Sequence, residues 1–286
     1  MKIQVLIPSA FVALVFLLSS VSHAATIGYW RFEGDSINTA NPGTGNLTAT
    51  GTGVTTTALA GSGATSDFFN PVPLTSAANT QTATGFTGNV NKGFSSDDFL
   101  DLSGNNAFTI EALFSSSNVS SGSNQTLAGQ WKASNGYRSF LFQVQNGGQM
   151  GLYVSGNGIA AETYITTTAD LKAANNRDYY AAATFSASGV TLFLQDLTDP
   201  EGSLATETFS TPLMNVQNSN AKFTIGGYDS SFQNPFRGDI DEVRLSDVVL
   251  SQSELLVIPE PSSLVLLGMG VLAGMAFTRK SRRRRG

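Results

Sequence analysis

From Phe108 to Leu245 the apolar residues of this chain recur at every second position in short runs. Nowhere between Ala25 and Ser253 do they keep helical spacing for three turns. Phe108, Ile110, Ala112 and Phe114 form one such run, Phe140, Phe142 and Val144 a second, and Met150, Leu152 and Val154 a third. Successive side chains of a strand point to opposite faces, so each run predicts a strand with one buried face. Asn146-Gly147-Gly148 separates the second run from the third. Asn and Gly accept the positive φ of tight turns, and the pair reads as a hairpin. Val190, Leu192 and Leu194 follow Ser188-Gly189. Phe223 and Ile225 precede Gly226-Gly227, and Val243 and Leu245 mark a late strand. Short strands with frequent turn signals predict an all-β, antiparallel sandwich or barrel. The segment from Asn38 to Gln81 is rich in Gly, Thr, Ala and Asn and poor in large apolar residues, and reads as a long flexible loop or thin edge region.

The two ends are built differently. Lys2, an apolar run from Val5 to Leu18, and small residues at Ser22 and Ala24 have the order of a secretory signal peptide. Residues 1–24 are therefore expected to be removed by signal peptidase, with the mature chain starting at Ala25. At the other end Pro259-Glu260-Pro261 leads into the apolar stretch Leu264–Phe277, followed by Arg279, Lys280 and Arg282 to Arg285. The stretch is short for a permanent span, which takes about 20 apolar residues. The basic cluster after it would stay in the cytoplasm while the signal sends the intervening residues outward.

The order of motif, apolar helix and arginine cluster over Pro259–Arg285 closely resembles the PEP-CTERM sorting signal of Gram-negative bacteria. That resemblance implies recognition of Pro259, Glu260 and Pro261 by an exosortase, a membrane cysteine transpeptidase. It also implies transient anchoring of the C-terminal helix in the inner membrane, and a destination in the envelope, outer surface or exopolysaccharide biofilm matrix. The expected organisation is thus a signal peptide (1–24), one β-sandwich (25–257) and a sorting signal (258–286).

Composition narrows what the exported part does. The chain has 16 basic and 21 acidic residues. Lys2 and the six basic residues of the tail leave nine, so the exported part carries a net charge of −12. Nucleic-acid binding draws on clustered Lys and Arg, and is discarded. There is no cysteine, hence no disulfide framework and no thiolate chemistry. The single histidine, His23, lies in the signal peptide. A mature chain without histidine has no Ser-His-Asp triad and no histidine-bound zinc.

Ile27-Gly28-Tyr29-Trp30-Arg31-Phe32-Glu33-Gly34-Asp35, then Phe108-Thr109-Ile110-Glu111-Ala112, then Gly226-Gly227-Tyr228, and finally Phe236-Arg237-Gly238-Asp239-Ile240-Asp241-Glu242-Val243-Arg244-Leu245 punctuate the domain. The series is similar to concanavalin A-like or laminin G-like jelly rolls, which open on a Trp-Arg-Phe-like strand and close on Gly-x-Ile-Asp-Glu-Val-Arg. The resemblance implies a jelly-roll sandwich from Ala25 to about Leu255. Ala112-Leu113 departs from it where the family usually has a tryptophan after Glu-Ala, as does Arg177-Asp178-Tyr179-Tyr180, where Trp-His is usual.

Asp239, Asp241 and Glu242 are the sharpest candidate site. Alternating carboxylates can act as acid and nucleophile of a glycosidase if they stand about 5 Å apart. Some glucanases of this fold carry Glu-x-Asp-x-x-Glu on a central strand, but here Arg244 falls where the last glutamate would be. The second reading places Asp241 inward with Val243 and Leu245, as a buried carboxylate needing a partner. Arg31 or backbone N–H groups near the opening strand are the expected partners, clasping the two chain ends together. Calcium, which relatives often bind, is compatible with carboxylates and carbonyls, but no Asp-x-Asp-x-Asp-Gly loop with a distant Glu appears and no ligands are assigned. Exposed rings could stack on sugars. Trp131, Tyr137, Tyr153, Tyr164, Tyr179, Tyr180 and Tyr228 are available, and Tyr153 opposes the apolar face of its strand. Asn46, Asn118 and Asn124 each begin an Asn-x-Ser/Thr sequon. The leading expectation is a non-catalytic, exported sandwich that binds extracellular polysaccharide or contributes to adhesion. A carboxylate-dependent glycan hydrolase and a purely structural matrix component are the rivals.

Overall fold

The computed structural model describes residues 26–58, 79–102, 106–161, 163–199, 201–210 and 215–257. The expected signal peptide, the Pro259-Glu260-Pro261 motif, the apolar tail and its arginine cluster lie outside the described residues. No helix of the described residues is long and apolar enough to cross a membrane.

The strands in chain order are β1 (Thr26–Trp30), β2 (Thr48–Thr50), β3 (Thr55–Ala58), β4 (Gln81–Thr87) and β5 (Gly93–Ser95). The middle of the chain forms β6 (Phe108–Ser116), β7 (Gln125–Trp131), β8 (Arg138–Val144), β9 (Met150–Val154) and β10 (Thr163–Thr166). The last third forms β11 (Asp178–Ser186), β12 (Gly189–Asp196), β13 (Ala205–Phe209), β14 (Phe223–Ile225) and β15 (Arg237–Ser246). All pairings are antiparallel and fall into two sheets. One runs β13-β12-β11-β6-β15-β4-β3, with β1 also paired to β15; the other runs β10-β9-β8-β7-β14-β5-β2. This is the jelly-roll sandwich that the alternation and the closing motif predict.

Apolar residues of both sheets meet in one core. Phe108, Ile110, Ala112 and Phe114 from β6 face Phe140, Phe142 and Val144 from β8, with the Phe108 and Phe140 rings 4.8 Å apart. Trp30 stacks on Phe223 at 4.7 Å and donates its indole N–H to the Gly45 carbonyl at 2.9 Å. A fully buried side chain of this size contributes about 1.5–3 kcal/mol by leaving water. The β8–β9 hairpin turns at Asn146-Gly147-Gly148 as expected. Gly148 has φ +94°, and a Cβ there would stand 2.1 Å from the Ala173 carbonyl oxygen.

Two features sharpen the sequence reading. Part of the segment read as flexible loop or thin edge region forms edge strands: β2 pairs with β5, and β3 pairs with β4. Their threonines supply β-branched stiffness without the apolar alternation that marks a buried strand. The other is a second layer. Residues 247–257 fold back over the outer face of the β6–β11–β15 sheet, where Leu250, Leu255, Leu256 and Val257 pack on Leu113, Tyr180, Ala182 and Phe193.

A buried polar clamp fixes this strap. The Glu111 carboxylate accepts from the Arg244 guanidinium, from the Tyr180 hydroxyl at 2.7 Å and from the Leu256 N–H at 2.9 Å. Arg244 also donates to the Glu254 carbonyl at 2.6 Å. Thr109 donates to the Val248 carbonyl and accepts from the Leu250 N–H. A buried carboxylate is tolerated when its lone pairs are filled in this way.

Candidate carbohydrate-binding face

The carboxylates singled out from sequence sit in the middle of β15. Asp239 is 6% exposed, and Asp241 and Glu242 are fully buried. The register between β15 and β6 slips between Asp241 and Arg244, so β15 carries an extra residue there. Glu242 takes a left-handed φ of +45°. Ile240, Val243 and Leu245 all reach the core, so the alternation resets across this bulge and Asp241 does not share the face of Val243 and Leu245. Arg31 accordingly meets Glu242, donating from Nη2 to Oε1 at 3.0 Å. Asp241, the partner expected for Arg31, instead has its carboxyl beside the Asn79 amide and the Glu242 backbone N–H. Burial first, then the Glu242 charge, holds the Asp241 carboxyl well above the usual carboxylate range. Burial likewise raises Glu242, against the lowering effect of Tyr29 and Arg31. Side chains with no exposed surface cannot touch a polymer while the strand holds. Among the described residues no group of three or more His, Cys, Asp or Glu side chains is placed to hold a metal ion.

The outer face of the other sheet is different. Phe140, Phe142 and Val144 of β8 and Met150, Leu152 and Val154 of β9 point into the core, so the residues between them point away from it. Tyr153 pairs directly with Tyr164 of β10, and the two rings stack with centroids 4.3 Å apart at 28°. Trp131, at the end of β7, meets Tyr153 edge-on at 6.4 Å. The Arg138 guanidinium lies over the Trp131 indole at 5.6 Å, and the Lys132 ammonium lies over the Tyr137 ring at 5.1 Å. Tyr164 is 52% exposed and Tyr137 37%, Tyr153 is half-buried, and Trp131, 8% exposed, shows only an edge.

Amide side chains run beside the rings. Asn124 donates to the Tyr153 hydroxyl at 3.4 Å, and the Tyr164 hydroxyl donates to Gln145 Oε1 at 3.1 Å. Gln143 donates to the Thr126 hydroxyl at 2.8 Å. Burial, then the Tyr164 hydroxyl, pushes the Tyr153 phenol above its ordinary range. Burial and Asp229 do the same for Tyr228. Both hydroxyls therefore stay protonated, able to donate as well as accept.

At the Trp131 end a cleft of about 210 Å³ is lined by Trp131, Lys132, Tyr137, Asn220, Ala221, Lys222, Asp229 and Ser230. Pockets that enclose a small molecule run to about 300–1,000 Å³, so this cleft accepts part of a ligand rather than all of it. Flat rings flanked by amides and charged groups, with a shallow cleft at one end, can stack on apolar sugar faces and hydrogen-bond the hydroxyls around them.

Of the rings named from sequence, Trp131, Tyr137, Tyr153 and Tyr164 gather here, with Tyr228 electrostatically coupled to Tyr153 and Arg138. Tyr179 and Tyr180 do not: Tyr179 stacks on Phe114 in the core, and Tyr180 serves the strap clamp. Sequence reasoning missed Arg138, Lys132, Gln143 and Gln145. The one signal for Arg138 is its place at the start of the strand that follows Trp131-Lys132 across a tight turn.

A family model matches residues 86–256, more than half of the chain. The chain belongs to the concanavalin A-like lectin/glucanases superfamily. Residues 257–284 match the PEP-CTERM protein-sorting motif, an indicator of export to the cell envelope in Gram-negative bacteria. A comparison with curated proteins finds no match. Among solved structures, this superfamily member is similar to domain 4 of AbnA, a GH43 extracellular arabinanase from Geobacillus stearothermophilus, in complex with arabinotriose. The identity is 13%, with 81% of this chain and 96% of that one covered and a TM-score of 0.52. The CBM40 of the Ruminococcus gnavus IT-sialidase, bound to α2,3-sialyllactose, aligns at 17% identity over 53% of this chain and 80% of that one, with a TM-score of 0.38. The leech intramolecular trans-sialidase aligns at 18% identity over 61% and 27% of the two chains, with a TM-score of 0.46. Likeness at this level concerns the fold.

Proposed function

We propose that this protein is an exported, non-catalytic glycan-binding sandwich of the envelope or extracellular matrix, delivered by signal peptidase and an exosortase-type enzyme. The observation that carries the reading is the aromatic face on the outer side of the β7–β8–β9–β10 sheet, where the exposed Tyr164 stacks on Tyr153 beside the cleft lined by Trp131 and the exposed Tyr137. Exposed rings present a large apolar surface at low entropic cost, and the partly exposed Asn124 amide beside them supplies a directional polar contact. The arabinotriose complex of the arabinanase domain supports the reading only as an instance of glycan binding on this fold. The burial of Asp239, Asp241 and Glu242 favours binding over hydrolysis.

The layout suits a tethered binder. The strap ends at Val257 on the outer face of one sheet, and the aromatic face lies on the outer face of the other. A chain held through its C-terminal segment would direct the aromatic face away from its attachment. The test is a glycan array probed with the native protein and with Trp131→Ala and Tyr153→Ala. Saturable binding of a polysaccharide class, weakened about tenfold or more by either change, is expected of central aromatic contacts. Absence of binding across the array would leave a structural matrix component as the reading.

A further inference from the structure

The nine basic residues of the exported part are not spread evenly. Lys132 and Lys222 line the cleft beside Trp131, and Arg138 lies over the Trp131 ring. Among the described residues, the ion pairs engage Arg31, Arg177, Lys222 and Arg244, and none engages Arg138. The Arg138 Nε is buried without a hydrogen-bond partner. The acid within the cleft, Asp229, is engaged locally: it accepts from the Ser230 N–H at 2.6 Å, from the Ser230 hydroxyl at 3.2 Å and from the Ala133 N–H at 3.4 Å.

The planar guanidinium fork is the form in which arginine reads a carboxylate bidentately, and that of Arg138 is held over the Trp131 indole. An arginine without a described acid partner is notable on a domain (25–257) where acids outnumber bases 20 to nine. We propose that the glycan bound by this face carries carboxylate groups, as uronate-type sugars do, and that Arg138 reads one of them from its place over the Trp131 indole, with Lys132 and Lys222 as flanking charges. The proposal rests on the glycan-binding reading of the same face and names the ligand class within it. A net-negative domain repels an acidic polymer everywhere except at such a point, which makes the contact selective.

The experiment measures binding of the full-length chain, purified in mild detergent, to polygalacturonate, alginate, methyl-esterified polygalacturonate and neutral arabinan. Esterification removes the charge and keeps the sugar. The acidic polymers are expected to bind at least tenfold more tightly than the ester, and that preference should shrink as salt rises, because exposed ion contacts are screened. Arg138→Gln should abolish the preference and Arg138→Lys restore part of it, whereas Tyr153→Ala should weaken acid and ester alike. If Arg138→Gln does not fold, Lys132→Gln with Lys222→Gln provides the second reading, an expected loss of salt dependence. Equal binding of acid and ester, or binding of arabinan alone, overturns the carboxylate proposal and leaves glycan binding standing. Binding of none of the four polymers overturns the proposal, and with a blank glycan array the function as well.

Discussion

Replacing Glu111 by Ala should be among the most damaging single changes in the domain, for a reason separate from glycan binding. Glu111 is fully buried and accepts from Arg244, Tyr180 and the Leu256 N–H. Its loss leaves the Arg244 guanidinium, whose side chain is 9% exposed, without its carboxylate under the strap. Removing one partner of a buried ion pair costs about 3–5 kcal/mol. A domain of this size loses about 2–4 °C of melting temperature per kcal/mol, so a fall of roughly 6–20 °C is expected by calorimetry. Replacing the whole pair, Glu111→Leu with Arg244→Met, should recover most of that loss, since well-packed apolar residues often substitute for a buried pair without penalty. Hydrogen exchange should show the 247–257 strap opening first in Glu111→Ala. A loss below about 1 kcal/mol, the size typical of exposed pairs, would refute the clamp. So would a double variant no more stable than the single one.

Three further outcomes are expected of the same fold. The folded state holds the Asp241 proton that an unfolded chain releases at about pH 3.9. Its contribution is therefore intact below that pH and is lost as pH rises through the raised folded value. Asp241→Asn should match the native protein in thermal melts near pH 4 and exceed it at pH 8; a difference independent of pH would remove this account of Asp241. Gly148→Ala should cost about 1–3 kcal/mol in denaturant titrations, because it forces a side chain into a left-handed position against the Ala173 carbonyl. Tyr164→Ala, at an exposed ring, should leave the melting temperature within a few degrees and weaken glycan binding, since surface substitutions rarely change stability by more than about 0.5 kcal/mol.

The hairpin of β8 and β9 was readable because each strand has one wet face, and Tyr153 could be placed on that face by alternation alone. The last strand was readable through its Gly-x-Ile-Asp-Glu-Val-Arg series, but its internal bulge was not. A single inserted residue moves Glu242 rather than Asp241 against Arg31 and leaves no mark in the sequence pattern. Strand β11 reads Tyr-Tyr-Ala-Ala-Ala-Thr-Phe from Tyr179, without alternation, because the core covers one face and the strap covers the other. The strap itself offers only scattered leucines after Ser246. The place of Arg138 over Trp131 depends on cross-strand register at an irregular point, which periodicity does not encode.

The most direct test of the central claim uses the two tryptophans of the chain. Trp30 is fully buried in the core, whereas Trp131, 8% exposed, lines the cleft at the end of the proposed binding face. Tryptophan emission of the full-length protein should therefore change saturably on titration with a bound polysaccharide, and that change should vanish in Trp131→Phe while the fold persists by circular dichroism. Saturable binding that leaves the Trp131 signal untouched, and that Tyr153→Ala does not weaken, would contradict the account and place the ligand elsewhere on the sandwich.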